Sequence, residues 1–166
     1  MRGEHPSSPA FASLRVIDIS EGIAGPFCTK MLAALGAQVI KVERPGAGDF
    51  SRALGPFPED IPHPEKGGLY LYLNMGKMGI TLDWETPTGQ ELLLDLLQRA
   101  DVLVESTVPG TLDRLRLGYD TLSKANPRLI VASVTPYGQT GPYRDYKATE
   151  IVLRALSGEM YLAGSP

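Results

Sequence analysis

The feature that most constrains the fold is a strand–helix–strand unit near the N-terminus. The run LRVIDIS (residues 14–20) has the pattern of a strand, AGPFCTKMLAALG (24–36) that of a helix ended by Gly36, and AQVIKVE (37–43) that of a second strand. Two strands joined through one short helix are parallel neighbours in a sheet, with a right-handed crossover. The unit therefore predicts a parallel sheet covered by helices.

The rest of the chain repeats this alternation after one long interruption. Residues 44–68 are rich in proline and glycine and predict a long irregular excursion. Further strands are predicted in GITLDW (79–84), DVLVEST (101–107) and RLIVASVTPYG (128–138). Helices are predicted in QELLLDLLQRA (90–100), TLDRLRLG (111–118), YDTLSKANP (119–127) and KATEIVLRALSG (147–158). The first of these helices has Thr86 as its cap and Pro87 in its first turn. Together these elements predict an α/β fold with a Rossmann-like, doubly wound, mostly parallel five-stranded sheet.

Composition narrows the class of protein. The chain has 166 residues, which fits one domain, and we expect a loose tail at 1–13 followed by the domain at 14–166. A net charge of −3 gives no reason to expect a nucleic-acid partner, and neither a secretory signal nor a membrane-spanning run is visible. The single cysteine, Cys28, excludes an internal disulfide; we predict a buried thiol and a cytoplasmic protein.

Several kinds of site are disfavoured by residue spacing. Gly22 and Gly25 follow the first strand but do not form the G-x-G-x-x-G pattern of a dinucleotide site. His5 and His63 lack partners at metal-ligand spacing, so no metal site is predicted. Ser51 has no histidine–carboxylate pair beside it in the pattern of a hydrolase.

Ligands of doubly wound sheets bind outside the carboxyl ends of the strands. The loops to examine are therefore those after Ile19, Val42, Leu82, Glu105 and Val134. The open N-terminus of the first helix can face an anion, and Lys41, Arg44 and Arg52 are basic residues that can add positive charge. Asp49 is expected to close its glycine-rich turn through its own side chain.

Three motifs occur in a fixed order: ER-x-G-x-GD around Arg44, VPG-x-LDRL around Arg114, and YGQTGPYRD at 137–145. From Leu14 to the last residue the chain resembles the N-terminal part of the family III coenzyme A transferases, such as formyl-CoA and carnitine CoA-transferases, and the related α-methylacyl-CoA racemase. The resemblance implies that CoA or an acyl-CoA binds as a substrate, with no permanently bound cofactor.

The resemblance also implies roles for individual residues. The segment Glu21, Gly22 and Ile23 matches one beside the adenine and thioester, Leu82 falls in the adenine lining, and Ser106 and Thr107 lie near the pantetheine. Arg44 and Arg114 match arginines that bind CoA phosphates. Lys147 and Glu150 match a lysine and a glutamate of some formyl-CoA transferases, and Glu150 is a candidate supporting carboxylate for catalysis.

This chain departs from the family pattern at three places. Lys77-Met78 stands where a Lys-Arg pair is common, and Glu85 where a basic residue is common, so part of the usual positive lining is missing. Thr149 occupies the position of the racemase histidine, and a threonine cannot shuttle a proton as a general acid or base near neutral pH. Racemisation is therefore the weaker interpretation within the family.

The resemblance implies covalent chemistry, in which an aspartate attacks the acyl-CoA carbonyl and passes through a mixed anhydride. That aspartate is expected beyond Pro166, so we expect this chain alone to be inactive and to supply the CoA-binding half of a CoA-transferase. The implied partners are a CoA thioester, a small carboxylic acid, and either a second subunit in an interlinked homodimer or a complementary C-terminal half. The alternatives are a non-catalytic module that binds CoA or a partner, and an acyl-CoA racemase.

Overall fold

The computed structural model describes residues 8–163, which form a five-stranded, all-parallel sheet in the order β3-β2-β1-β4-β5. The strands are β1 (Arg15–Asp18), β2 (Gln38–Glu43), β3 (Met78–Thr81), β4 (Val102–Glu105) and β5 (Ile130–Ser133). The helices are α1 (Ala24–Ala34), α2 (Gly68–Leu73), α3 (Pro87–Leu97), α4 (Thr111–Arg114), α5 (Tyr119–Ala125), α6 (Glu150–Leu156) and α7 (Glu159–Leu162). The predicted doubly wound α/β sheet is confirmed.

The central strand β1 explains why both faces of the sheet are covered. Val16 and Ile17 point to opposite faces, because side chains alternate along a strand, and both are buried. Ile17 belongs to the larger core, which α3 and α5 complete with Leu93 and Leu122. Val16 packs in a smaller core on the face that α1 covers. Within residues 8–163 no helix combines the length and hydropathy needed to cross a bilayer.

The structure adds elements that the sequence patterns did not predict. The long segment 44–67 contains two 3₁₀ turns, Phe50–Ala53 and Pro58–Asp60, and leads into α2. The predicted cap of α3 is confirmed, since the Thr86 hydroxyl accepts a hydrogen bond from the Gly89 N–H. Of the predicted tail, residues 1–7 lie outside the described residues, and 10–13 form a turn.

The predicted burial of Cys28 is wrong. Helix α1 packs on the sheet through Gly25, Pro26 and Thr29, and these three positions recur on one face of a helix with 3.6 residues per turn. Cys28 lies off that face and is exposed. Thr29, its neighbour, takes the buried position.

The long loop is held to the sheet by a carboxylate at the end of β2. Glu43 accepts hydrogen bonds from Arg52 at 2.7 and 2.8 Å, from the Tyr70 hydroxyl at 2.6 Å and from the Asp49 N–H at 2.8 Å. Burial alone would raise the pKa of Glu43, but these hydrogen bonds outweigh it and lower that pKa from 4.5 to about 2. Arg52, which the sequence suggested as charge for an anion, is instead a structural partner of Glu43.

Burial of the core predicts a contrast between two neighbouring leucines of α3. Leu93 is 1% exposed in the larger core, whereas Leu92 is 49% exposed. We expect Leu93→Ala to lower the free energy of unfolding by about 2–5 kcal/mol and Leu92→Ala by less than about 1 kcal/mol. Urea denaturation of the two variants measures both values, and equal losses would contradict the assigned core.

The lowered pKa of Glu43 predicts how stability depends on pH. A carboxylate whose pKa is lower in the folded state stabilises that state above its unfolded pKa, and the contribution is lost as the pH falls through the folded value. In Glu43→Gln we expect the free energy of unfolding to fall less steeply than in the wild type between pH 4.5 and about 2. Glu65→Gln, which removes the other, 72% exposed carboxylate partner of Arg52, is the control and should retain the wild-type slope. Parallel slopes for wild type and Glu43→Gln would disprove the assignment.

Candidate functional site

A pocket of about 760 Å³ opens at the carboxyl edge of the sheet. All five loops that follow the strands contribute to it, together with Leu153 of α6. Its lining is Ile19, Glu21, Ala24, Gly25, Arg44, Phe50, Trp84, Glu85, Ser106, Thr107, Val108, Thr111, Arg114, Val134, Thr135, Pro136 and Leu153. The pocket thus lies where doubly wound sheets bind their ligands.

Below the pocket, buried polar side chains fix the end of β1. Asp18 is fully buried and accepts hydrogen bonds from the Ser20 N–H at 3.0 Å, the Thr29 hydroxyl at 2.6 Å and Lys77 Nζ at 3.0 Å. Burial lowers the pKa of Lys77, while the attraction of Asp18 opposes that shift. Lys77 is therefore a structural cation that anchors the residues before β3, and it does not line the pocket.

A second buried pair fixes the turn between β1 and α1. Lys41 Nζ donates to Asp49 Oδ2 at 2.8 Å and also to the carbonyl of Ser20. Asp49 Oδ1 accepts the N–H groups of Gly22 at 3.0 Å and Ser51 at 2.9 Å, which confirms that Asp49 closes its own turn. Although burial alone would raise the pKa of Asp49, the Lys41 ammonium and these hydrogen bonds lower it. Lys41, which the sequence also suggested as positive charge for an anion, is instead the buried ion-pair partner of Asp49.

The two glycines of this turn are required by its geometry. Gly22 has a φ of +81°, and a Cβ there would lie 2.6 Å from the Phe50 ring. A Cβ on Gly25 would overlap the side chain of Ser20. The turn therefore brings Ala24 and Gly25, the first residues of α1, to the pocket wall.

Arg44 stands at one side of the pocket between two carboxylates. Its guanidinium is 2.9 Å from Glu21 Oε1 and 3.2 Å from Glu85 Oε1, and it lies 5.9 Å from the centre of the Trp84 ring. The hydrogen bond to Glu21 is the largest reason why the pKa of Arg44 is raised. The Nε atom of Arg44 is buried and has no hydrogen-bond partner. The Arg44 guanidinium is thus charged and held in place by two carboxylates, and its Nε–H is unpaired among the described residues.

The loop after β4 forms the facing wall. Ser106 Oγ accepts the Glu21 N–H at 2.8 Å and so ties this loop to the β1 turn. The buried carboxylate of Glu105 accepts the N–H and hydroxyl of Thr107 at 2.7 and 2.6 Å, and Gln139 donates to it at 3.3 Å. These contacts hold Ser106 and Thr107 against the pocket.

Two further lining groups have unused hydrogen-bonding capacity. Arg114, at the end of α4, is exposed and has no carboxylate within 4.0 Å among residues 8–163. Thr135 Oγ1 is buried without a hydrogen-bond partner. Within this part of the chain Arg114 therefore presents an unpaired guanidinium to the pocket, whereas Thr135 Oγ1 and Arg44 Nε are covered by protein atoms.

Of the residues singled out from the sequence, Glu21, Arg44, Ser106, Thr107 and Arg114 meet in this pocket. Gly22 and Ile23 adjoin its wall. Leu82 packs against the larger core and lines a separate groove of about 680 Å³ between α3 and strands β1–β3. Lys147 is exposed in the loop before α6, and Glu150 is exposed and paired with Arg154 at 2.6 Å.

Sequence reasoning did not name Trp84, Phe50 or Thr135 as site residues. Each follows one of the strands whose loops were singled out, so position in the topology was the available signal. Their residue types alone gave no signal, because a lone tryptophan, phenylalanine or threonine also occurs in cores and on surfaces that bind nothing.

The chain matches the family model described as CoA-transferase family III over residues 11–166. It is 46% identical over 93% of its length to the succinyl-CoA:(R)-benzylsuccinate CoA-transferase subunit BbsE of Thauera aromatica, covering 37% of that protein. It is 42% identical over 93% of its length to a formyl-CoA:oxalate CoA-transferase of Bradyrhizobium diazoefficiens, covering 35% of that protein.

A solved structure agrees with these matches. The crystal structure of a CAIB/BAIF family protein from Brucella suis superimposes with a TM-score of 0.86 at 36% identity, covering 96% of this chain and 42% of that one. The chain thus spans less than half the length of the relatives it matches, and it aligns along almost all of its own length. The chain belongs to CoA-transferase family III.

Proposed function

We propose that the pocket binds the CoA portion of an acyl-CoA, and that the protein transfers CoA between a thioester and a carboxylic acid. The observation that carries the proposal is the pair of guanidinium groups, Arg44 and Arg114, lining one pocket beside the N-terminus of α1. A guanidinium holds phosphate oxygens two at a time, and a helix N-terminus favours anions.

The remaining walls suit the other parts of CoA. A volume of about 760 Å³ lies within the range of pockets that enclose cofactor-sized ligands. Trp84 and Phe50 supply aromatic surface for a base, and the hydroxyl oxygens of Ser106 and Thr107 can accept hydrogen bonds from amide N–H or ribose O–H groups. In this assignment Arg44 and Arg114 bind phosphate, Glu21, Gly22 and Ile23 flank the thioester end, and Leu82 supports the base-binding wall through Trp84.

Two residues of the segment before and within α6 complete the proposal. Glu150 begins α6, which reaches the pocket through Leu153, and Lys147 precedes the helix by three residues. We assign Glu150 a supporting carboxylate role and Lys147 an additional contact to CoA. In the described structure Glu150 pairs with Arg154 instead, so the supporting role requires that ion pair to open.

The relatives support the reaction class while differing in the acid. One is named for (R)-benzylsuccinate and another for oxalate, with succinyl-CoA and formyl-CoA as the named donors. CoA is the element common to both names. We therefore propose CoA transfer as the reaction and assign no donor or acceptor acid.

Association with a second polypeptide also belongs to this proposal. The relative BbsE is named as a subunit, and so is the succinyl-CoA–L-malate CoA-transferase beta subunit of Chloroflexus aurantiacus. In this chain Ile151, Leu156 and Tyr161 of α6 and α7 are exposed by 64, 69 and 91%. We propose that a second subunit or a complementary C-terminal half covers this surface. We also propose a cytoplasmic location, where a free thiol such as Cys28 stays reduced.

The phosphate-binding assignment predicts the effect of removing Arg114. Arg114→Ala should weaken CoA binding about 10- to 150-fold, since a hydrogen bond to a charged group contributes about 1.5–3 kcal/mol. Calorimetric titration with CoA measures the loss. Arg128→Ala, which removes an exposed arginine outside the pocket, is the matched control and should bind CoA like the wild type.

Because Arg114 has no ion-pair partner among the described residues, its removal should leave the unfolding midpoint unchanged. Equal CoA affinities for Arg114→Ala and Arg128→Ala would remove Arg114 from the binding site. Absence of CoA binding by the folded wild-type chain would refute the proposed function.

A further inference from the structure

The charged side chains that line the pocket cancel one another. Arg44 and Arg114 contribute two positive charges, Glu21 and Glu85 contribute two negative charges, and the other lining residues are neutral. CoA, by contrast, is a polyanion because it carries a diphosphate and a 3′-phosphate. A neutral lining gives such a ligand less attraction than two unopposed arginines would.

The two carboxylates that hold Arg44 differ in how firmly they are fixed. Glu21 has a side chain that is 29% exposed, and its N–H is bonded to Ser106 Oγ at 2.8 Å. Glu85 has a side chain that is 50% exposed, and its contact with Arg44 is longer, at 3.2 Å against 2.9 Å. Glu85 is therefore the carboxylate that a ligand displaces from Arg44 more readily.

Displacement of Glu85 has a cost that depends on the ligand's charge. A phosphate that takes the edge of Arg44 now held by Glu85 replaces that carboxylate, and afterwards phosphate and carboxylate face each other with like charge. The repulsion grows with the number of phosphate charges at the site and falls with added salt.

From this arrangement we infer that Glu85 is a specificity-determining residue, which competes with ligand phosphate for Arg44 and so reduces the preference for CoA over 3′-dephospho-CoA. The inference rests on the proposed function and deepens it, because it concerns which form of CoA the same pocket selects.

The test measures dissociation constants for CoA and for 3′-dephospho-CoA with the wild type, Glu85→Gln and Glu91→Gln. Glu91 is an exposed glutamate on α3, outside the pocket, so its replacement changes the net charge equally. Glu85→Gln should bind CoA roughly 2- to 5-fold more tightly than the wild type, the range set by an exposed ion pair. Its gain for 3′-dephospho-CoA should be smaller, and Glu91→Gln should match the wild type for both ligands.

The gain in CoA affinity of Glu85→Gln should also be smaller when the titration is repeated in high salt, because the Arg44–Glu85 ion pair is exposed. Circular dichroism and thermal unfolding establish that each variant is folded. Unchanged CoA affinity in Glu85→Gln, or an equal gain for both ligands, overturns the inference while leaving CoA binding intact. If no folded variant binds either ligand, the proposed function itself fails and the inference fails with it.

Discussion

Two buried ion pairs, Lys41–Asp49 and Lys77–Asp18, are the constraint on which the candidate site depends. They lie on the sheet face covered by α1, where Val16 and Val39 are followed two positions later by Asp18 and Lys41. Every second side chain of a strand points to the same face of the sheet, so this face is apolar earlier in β1 and β2 and charged at their carboxyl ends. Removing one partner of such a pair would leave a buried charge uncompensated, at a cost of about 3–5 kcal/mol.

These pairs join segments that are distant in sequence. Asp18 connects the end of β1 to α1 through Thr29 and to the segment before β3 through Lys77. Asp49 connects the loop after β2 to the turn at Gly22. A turn held in this way presents the start of α1 at a fixed position, while Arg44 and Glu85 above it remain partly exposed. The pocket therefore combines a floor held by buried ion pairs with a polar wall whose ion pairs are partly exposed.

The sequence was sufficient to predict the sheet, because short apolar runs, helical periodicity and glycine stops report directly on local structure. It also predicted the five loops that form the pocket, since the topology of a parallel sheet places them at one edge. The roles of the basic residues were harder to predict. Lys41, Arg52 and Lys77 carry the same charge as Arg44 and Arg114, but their partners, Asp49, Glu43 and Asp18, are brought to them by folding.

Two other features of the structure, which the sequence patterns did not predict, have the same origin. Cys28 has apolar neighbours in sequence, yet its angular position on α1 turns it away from the sheet. Helix α2 reads as LYLYL, an alternation as compatible with a strand as with a helix, and its packing beside α1 and the 3₁₀ turn at Phe50 decides the outcome. In each case tertiary packing supplied information that a local pattern lacks.

The central claim is that CoA binds at the carboxyl edge of the sheet, over the turn that the buried pairs fix. Backbone amide chemical shifts measured by NMR during a titration with CoA test it most directly. The account predicts that the shifts concentrate at Glu21–Gly25, Arg44, Trp84–Glu85 and Ser106–Thr111. Shifts confined to the groove between α3 and strands β1–β3, at Ile40, Ile80 and Leu96, would contradict it.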